Sequence, residues 1–200
     1  MIKVKKTEYR PVPVRETLIQ MKDISELMID LAYSAALFHN KELAGEVMEL
    51  EIKVDDLVYL LNMNLMLAAR DRDDAEKLSG VAKIGSLTNA ISDAAADIAS
   101  LVLHDIMVHP AVQAVFQRAE EHLGRVKVDT DSFLAGKTID DLELAAEVGV
   151  DIIAIRRGEI WHINPDKEIL LPEDVLVARG TADGLKSLSK AAKGEVDYLE

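Results

Sequence analysis

Apolar residues recur along the first half of the chain at three- and four-residue steps, the period of a helix with one buried face. Ile24, Leu27, Leu31, Ala35 and Phe38 mark one such stripe and predict a helix over about Arg15 to Phe38, stopped by His39-Asn40. Leu43, Val47, Leu50, Val54, Leu57 and Leu61 keep a 4-3-4-3-4 spacing, the seam of a coiled-coil-like bundle. Arg70-Asp71-Arg72-Asp73 is the polar turn that ends this second helix. A third helix is expected over about Asp74 to Met107, with Leu78, Val81, Gly85, Asn89, Ser92, Ala96, Ala99 and Leu103 on one face. That face is small, so neighbouring helices can approach closely, and Gly85 is accepted there despite a helix cost of about 1 kcal/mol relative to Ala. Pro110 suits the first turn of a further short helix reaching about Glu121.

Near His122 the pattern changes to short β-branched runs separated by turn residues, so two domains are expected, over residues 1–122 and 123–200. The second reads β-α-β-β-β-α. Val126 to Val128 is a strand, and Thr138-Ile139-Asp140-Asp141 resembles a capping box that starts a helix running to Gly149. Val150 to Ile155, Ile160 to Ile163 and Val175 to Ala178 are strands, with Arg157-Gly158-Glu159 as a hairpin turn and Asn164-Pro165-Asp166 as a loop. A last helix covers about Ala182 to Ala192, and the tail Glu195 to Glu200 has no evident partner. The fold class expected is therefore multidomain, α followed by α+β.

Charge and composition narrow the functions. The 23 Lys+Arg stand against 36 Asp+Glu, a net charge of −13 that repels polyanions and argues against nucleic-acid binding. Cysteine is absent, which removes disulfides, thiolate metal sites and cysteine nucleophiles. Met1 to Thr17 carries alternating charges with Pro11 and Pro13 and no apolar core of signal-peptide length, so a cytoplasmic protein is expected. Neither a phosphate-cradling Gly-rich loop nor a readable Ser/His/Asp arrangement is present.

Two features carry candidate chemistry. Glu51 with Asp55, and Asp93 with Asp97, each place two carboxylates one turn apart on a helix face, a like-charge spacing that costs a few tenths of a kcal/mol. A solvated acidic face and a cation bridging adjacent helices both fit that pattern. An enzyme on this face would need a positioned acid or base, and no Glu-x-x-His lies on the bundle helices. Arg156-Arg157, after the apolar strand, reads either as a solubilising hairpin tip or as an anion site.

Taken together the motifs resemble a known combination. Ser25 to Ala35, Glu51-x-x-x-Asp55 and Ile91-Ser92-Asp93-Ala94-Ala95-Ala96-Asp97-Ile98-Ala99 look like a single PhoU-type three-helix bundle. Leu134-Ala135-Gly136-Lys137-Thr138-Ile139, Gly149 to Gly158, Pro165 and Pro172 to Gly180 look like the C-terminal domain of the TrkA family, the ligand-sensing part of potassium-conductance regulators. The dinucleotide-binding half that usually precedes that domain is missing, so NAD or ATP sensing is not implied. The resemblance implies a non-enzymatic regulator of cation, chiefly potassium, transport that works as a homodimer with a membrane transporter or channel subunit, peripheral to the membrane. It implies a divalent or transition metal at Glu51, Asp55, Asp93 and Asp97. It further implies a small-molecule or ion effector lined by Ile153, Arg156, Arg157, Asn164 and Pro165, with His122 to Arg125 as a hinge. The rival readings are a PhoU-like regulator of phosphate signalling and a carboxylate-metal enzyme.

Overall fold

The structure is a computed structural model and describes residues 12–106, 109, 111 and 122–198. Its contacts divide the chain into two compact units, Met1–Met107 and Val108–Glu200. Apart from Ala111, the helix expected from Pro110 to Glu121 falls outside the described residues.

The first unit is a bundle of three long helices, α1 (Val14–Phe38), α2 (Lys41–Ala68) and α3 (Arg72–Leu103). The corners follow from local chemistry. His39 caps α1 in the left-handed conformation, and the Asn40 side chain then accepts from the backbone N–H groups of Glu42 and Leu43, starting α2. Asp71 does the same for α3 by accepting from Asp74 N–H at 2.9 Å. At the far end of α3, Asp105 pairs with Lys41 (2.6 Å) and His39, which holds its carboxyl below the usual range.

The core of the bundle is the interleaved seam of Met21, Met28 and Leu31 from α1, Leu43, Leu50 and Leu61 from α2, and the small face of α3, Gly85, Ser92, Ala95, Ala96 and Ala99. A side chain at Gly85 would collide with Leu61, so the glycine is what lets α2 and α3 approach there. Ser92 completes the contact on the other side, its hydroxyl 2.9 Å from that of Ser25. Leu103, expected on the inner face, is exposed and Val102 is buried instead. A straight helix of 3.6 residues per turn drifts away from a strict 3–4 spacing over this length. The helix also stops at Leu103 rather than reaching Met107, with His104 as its C-cap.

The second unit is a four-stranded antiparallel sheet of β1 (His122–Lys127), β2 (Val150–Arg157), β3 (Ile160–Ile163) and β4 (Val175–Gly180), in the order β1-β4-β2-β3. Two short helical turns, α4 (Ile139–Leu142) and α5 (Leu144–Glu147), lie before β2, and α6 (Ala182–Ala192) follows β4. The stretch His122 to Arg125, expected as a hinge, is part of β1 and pairs with β4 from His122↔Gly180 onward, so its backbone is fixed by ladder hydrogen bonds. The helix expected from Thr138 to Gly149 starts on the expected Thr138 cap but breaks at Glu143, which has φ 45°. The break has a packing reason. In one continuous helix Leu142 and Leu144 would lie about 200° apart, whereas here both are buried in the same core.

That core gathers Val128, Leu134, Ile152, Ile155, Leu170, Leu176 and Leu188, with Val196 of the tail packed against it. The C-terminal segment expected to lack a partner therefore has one. Gly184 at the start of α6 sits where a Cβ would run into the carbonyl of Val148, which allows α6 to lie close over the start of β2.

Candidate functional site

On the bundle, the four acidic residues singled out from spacing do gather. Burial raises the Glu51 carboxyl above its ordinary range, and the charges of Asp55, Asp93 and Asp97 add to the shift. Asp55 is raised in the same way, by burial and then by Asp93 and Asp56. The two helices therefore hold like charges close enough to repel, and Asp93 accepts from the Asn89 amide at 3.2 and 3.3 Å. Yet among the described residues no group of three or more His, Asp or Glu side chains is arranged to hold one metal ion.

In the sheet unit the structure divides the five expected ligand residues. Asn164 and Pro165 line a cavity of about 320 Å³ together with His162, Asp166, Lys167 and Glu168. The loop that shapes it is pinned at both ends. Asn164 takes φ 51°, a conformation Asn accepts more readily than most residues, and donates its N–H to the carbonyl of Ile153 at 3.1 Å. Ile153 lies opposite Asn164 in the β2–β3 register, one pair beyond Ala154↔Ile163, so this bond carries the ladder into the loop. Pro165 O accepts from Glu168 N–H at 2.8 Å, and Glu168 pairs with His162 at 3.2 Å.

Arg156 and Arg157 part company. Consecutive strand residues point to opposite faces, and the register places Arg156 across from Trp161 and Arg157 across from Ile160. Arg157 makes a bidentate pair with Asp174 (Nε to Oδ1 2.9 Å, Nη2 to Oδ2 2.8 Å) and donates to the carbonyl of Ile169. Asp174 is 1% exposed and also accepts from Leu171 N–H. Paired so, Arg157 is raised further above its usual range by the Asp174 hydrogen bonds. Its guanidinium is committed to the fold, and Arg156 lies on the other face of the strand, across from Trp161.

Sequence reasoning missed Asp174, Glu168 and a second, acidic cavity of about 370 Å³ lined in part by Asp140, Glu143, Asp151 and Asp166. A Pro-Glu-Asp turn signal was visible at Asp174, but its pairing across 17 positions was not.

Comparison with known proteins accounts for both units. Residues 18–102 match the family model of the PhoU domain, and residues 123–193 match that of the TrkA-C domain. The chain joins a PhoU domain to a TrkA-C domain. It is similar to Ktr system potassium uptake protein C of Bacillus subtilis, 27% identical over 147 residues, which are 73% of this chain and 64% of that protein. It is also similar to a probable potassium channel protein of Methanocaldococcus jannaschii, 29% identical over 144 residues, 66% of this chain and 41% of that protein. This chain thus spans less than two thirds of either relative. Among solved structures, the C domain of the potassium transport protein KtrA, in complex with cyclic diadenosine monophosphate, is 28% identical, with TM-score 0.33, over 40% of this chain and 93% of that one. This chain's TrkA-C domain holds the His162–Glu168 cavity, and its PhoU domain holds the carboxylate face. Among the described residues no helix is long and apolar enough to cross a membrane.

Proposed function

We propose that this protein is a cytoplasmic, non-enzymatic regulatory subunit of a potassium transporter, switched by a ligand bound at paired TrkA-C domains. The observation that carries the reading is the TrkA-C match over residues 123–193, in a chain whose two curated relatives are both potassium proteins. The local chemistry supports an anionic effector. His162 and Lys167 line the cavity along the loop Ile163 to Glu168, and Arg156, on the opposite face of β2, belongs to the site only as the family resemblance implies. Asn164 and Pro165 supply the wall, and the backbone of Ile153 holds that wall in place. A ligand acts only if it prefers one of two arrangements, so the pair of domains must have at least two states that a membrane partner distinguishes.

The test is calorimetric titration of the full chain with cyclic dinucleotides, mononucleotides and inorganic phosphate. Binding of one of them is expected, weakened about tenfold or more by Arg156→Ala, the scale of one lost charge-assisted hydrogen bond. No binding to any of the panel, or an affinity unmoved by Arg156→Ala and by Asn164→Ala, overturns the site. The transporter partner is tested separately, by potassium flux in vesicles holding the transport subunit with and without this chain. A second reading, a regulator of phosphate signalling, rests on the PhoU match over residues 18–102. Genes beside the coding region separate the two, cation transporters favouring the first and phosphate transporters the second.

A further inference from the structure

α3 carries a second apolar seam, distinct from the small one it buries inside the bundle. Ile84, Ile91 and Ile98 repeat every seven residues, and Leu87, Ala94 and Leu101 repeat between them, which gives an unbroken 3-4-3-4-3 spacing. This is the pattern of the core positions of a coiled coil. It faces outward. Ile84 is 57% exposed, Leu87 52%, Ile91 47% and Leu101 44%, while Gly85, Ser92 and Ala99 on the neighbouring stripe are buried. Between this seam and α1 runs an apolar groove of about 490 Å³, with Ile29 and Tyr33 forming its α1 wall. A continuous apolar stripe of this kind marks an interaction surface, and heptad spacing says that the partner is a helix.

We propose that the occupant is α3 of a second copy of this chain, packed antiparallel about a two-fold axis near Ala90. The charges beside the seam choose both the partner and the direction. In heptad terms Lys83, Ala90 and Asp97 occupy the same flanking position, with Lys83 and Asp97 each seven residues from Ala90 and both exposed. In an antiparallel pair that stacks Ile84 on Ala94, and Leu87 on Ile91, Lys83 of each copy faces Asp97 of the other. Two symmetric ion pairs flank a central Ala90–Ala90 contact, and flanking pairs of this type set orientation in coiled coils. A parallel pair would instead set Lys83 against Thr88 and Asp97 against Val102, with no opposite charge, and Val102 is already buried in its own bundle. The small residues Ala90 and Ala94 let the two helices come close at the axis, where a larger side chain would hold them apart.

The absence of cysteine from the chain makes the test direct. A single Ala90→Cys variant of the full chain is treated with a short bis-maleimide, beside a Ser86→Cys control on the exposed outer side of the same helix. Rapid covalent dimer from Ala90→Cys and little from Ser86→Cys is expected; equal or no cross-linking of the two overturns the pairing. Register and direction are then read by charge. Adding Lys83→Asp to Ala90→Cys is expected to slow cross-linking about fivefold, and Asp97→Lys on top of it to restore the rate. A reversal without effect, or without rescue, overturns the antiparallel arrangement. The cross-link reports on the bundle's own face, so failure of the ligand site proposed above leaves this result unaffected.

Discussion

Arg157 and Asp174 join β2 to the loop before β4, and Asp174 gives up nearly all its solvent to do so. Removing one partner leaves the other charge unpaired, the expensive case for a buried pair. Asp174→Ala, which strands Leu171 N–H as well, is expected to lower the unfolding free energy of the sheet unit by about 3 kcal/mol, read by chemical denaturation. Arg157→Ala is expected to act in the same direction, and because Arg157 also lies 3.8 Å from Glu168 at the cavity, ligand affinity is read alongside stability. Lost ligand affinity with unchanged stability would show the opposite assignment. At Gly85 the constraint is space. Gly85→Ala is expected to cost about 2 kcal/mol, because the new methyl meets Leu61, although Ala is the better helix former.

At the scale of the helix pair, α2 and α3 keep Glu51, Asp55, Asp93 and Asp97 within reach of one another's charge. The Glu51 and Asp55 carboxyls are raised in the folded chain, so the folded state binds protons more tightly than the unfolded one. Their contribution to stability is therefore greatest below the ordinary carboxyl range and is lost as pH rises through the raised values. Asp93→Asn is expected to raise the melting midpoint at pH 7 by about 2–4 °C, the effect of relieving roughly half a kcal/mol of like-charge repulsion. The gain should shrink toward pH 4, and scanning calorimetry at the two pH values reads the difference. A divalent or transition metal would relieve the same repulsion in the native chain. Raised melting of the wild type with manganese or zinc, lost in Asp93→Asn, would require the carboxylates to close in from where they stand, and no change with metal would assign the face to solvent.

In the whole molecule the two compact units carry separate cores, and each family match falls within one of them. A ligand that binds only native TrkA-C domain stabilises by mass action the unit that holds it. Thermal unfolding of the full chain is thus expected to show the upper or lower part of the transition moving with an effector, and the rest staying in place. Movement of the entire curve by one effector would mean that the units unfold as one.

Periodicity alone determined the three helices, the succession of strands along the chain and the division into helical and sheet parts, because helix and strand repeats are local and each apolar face has to be buried. The cap at Thr138 was equally local, since one side chain and an N–H three residues on define it. The four bundle carboxylates were legible as one face for the same reason. What only the tertiary structure decided were relations across the chain. It set Arg157 on Asp174 and Arg156 on the other face, because strand pleat and register place neighbours apart. It broke the helix at Glu143 so that Leu142 and Leu144 could share a core. It turned the expected hinge at His122 into a paired strand, and it left the Ile/Leu seam of α3 outside the bundle. A heptad pattern says that a helix is wanted against it, and only the packing of α1, α2 and α3 shows which seam is already filled.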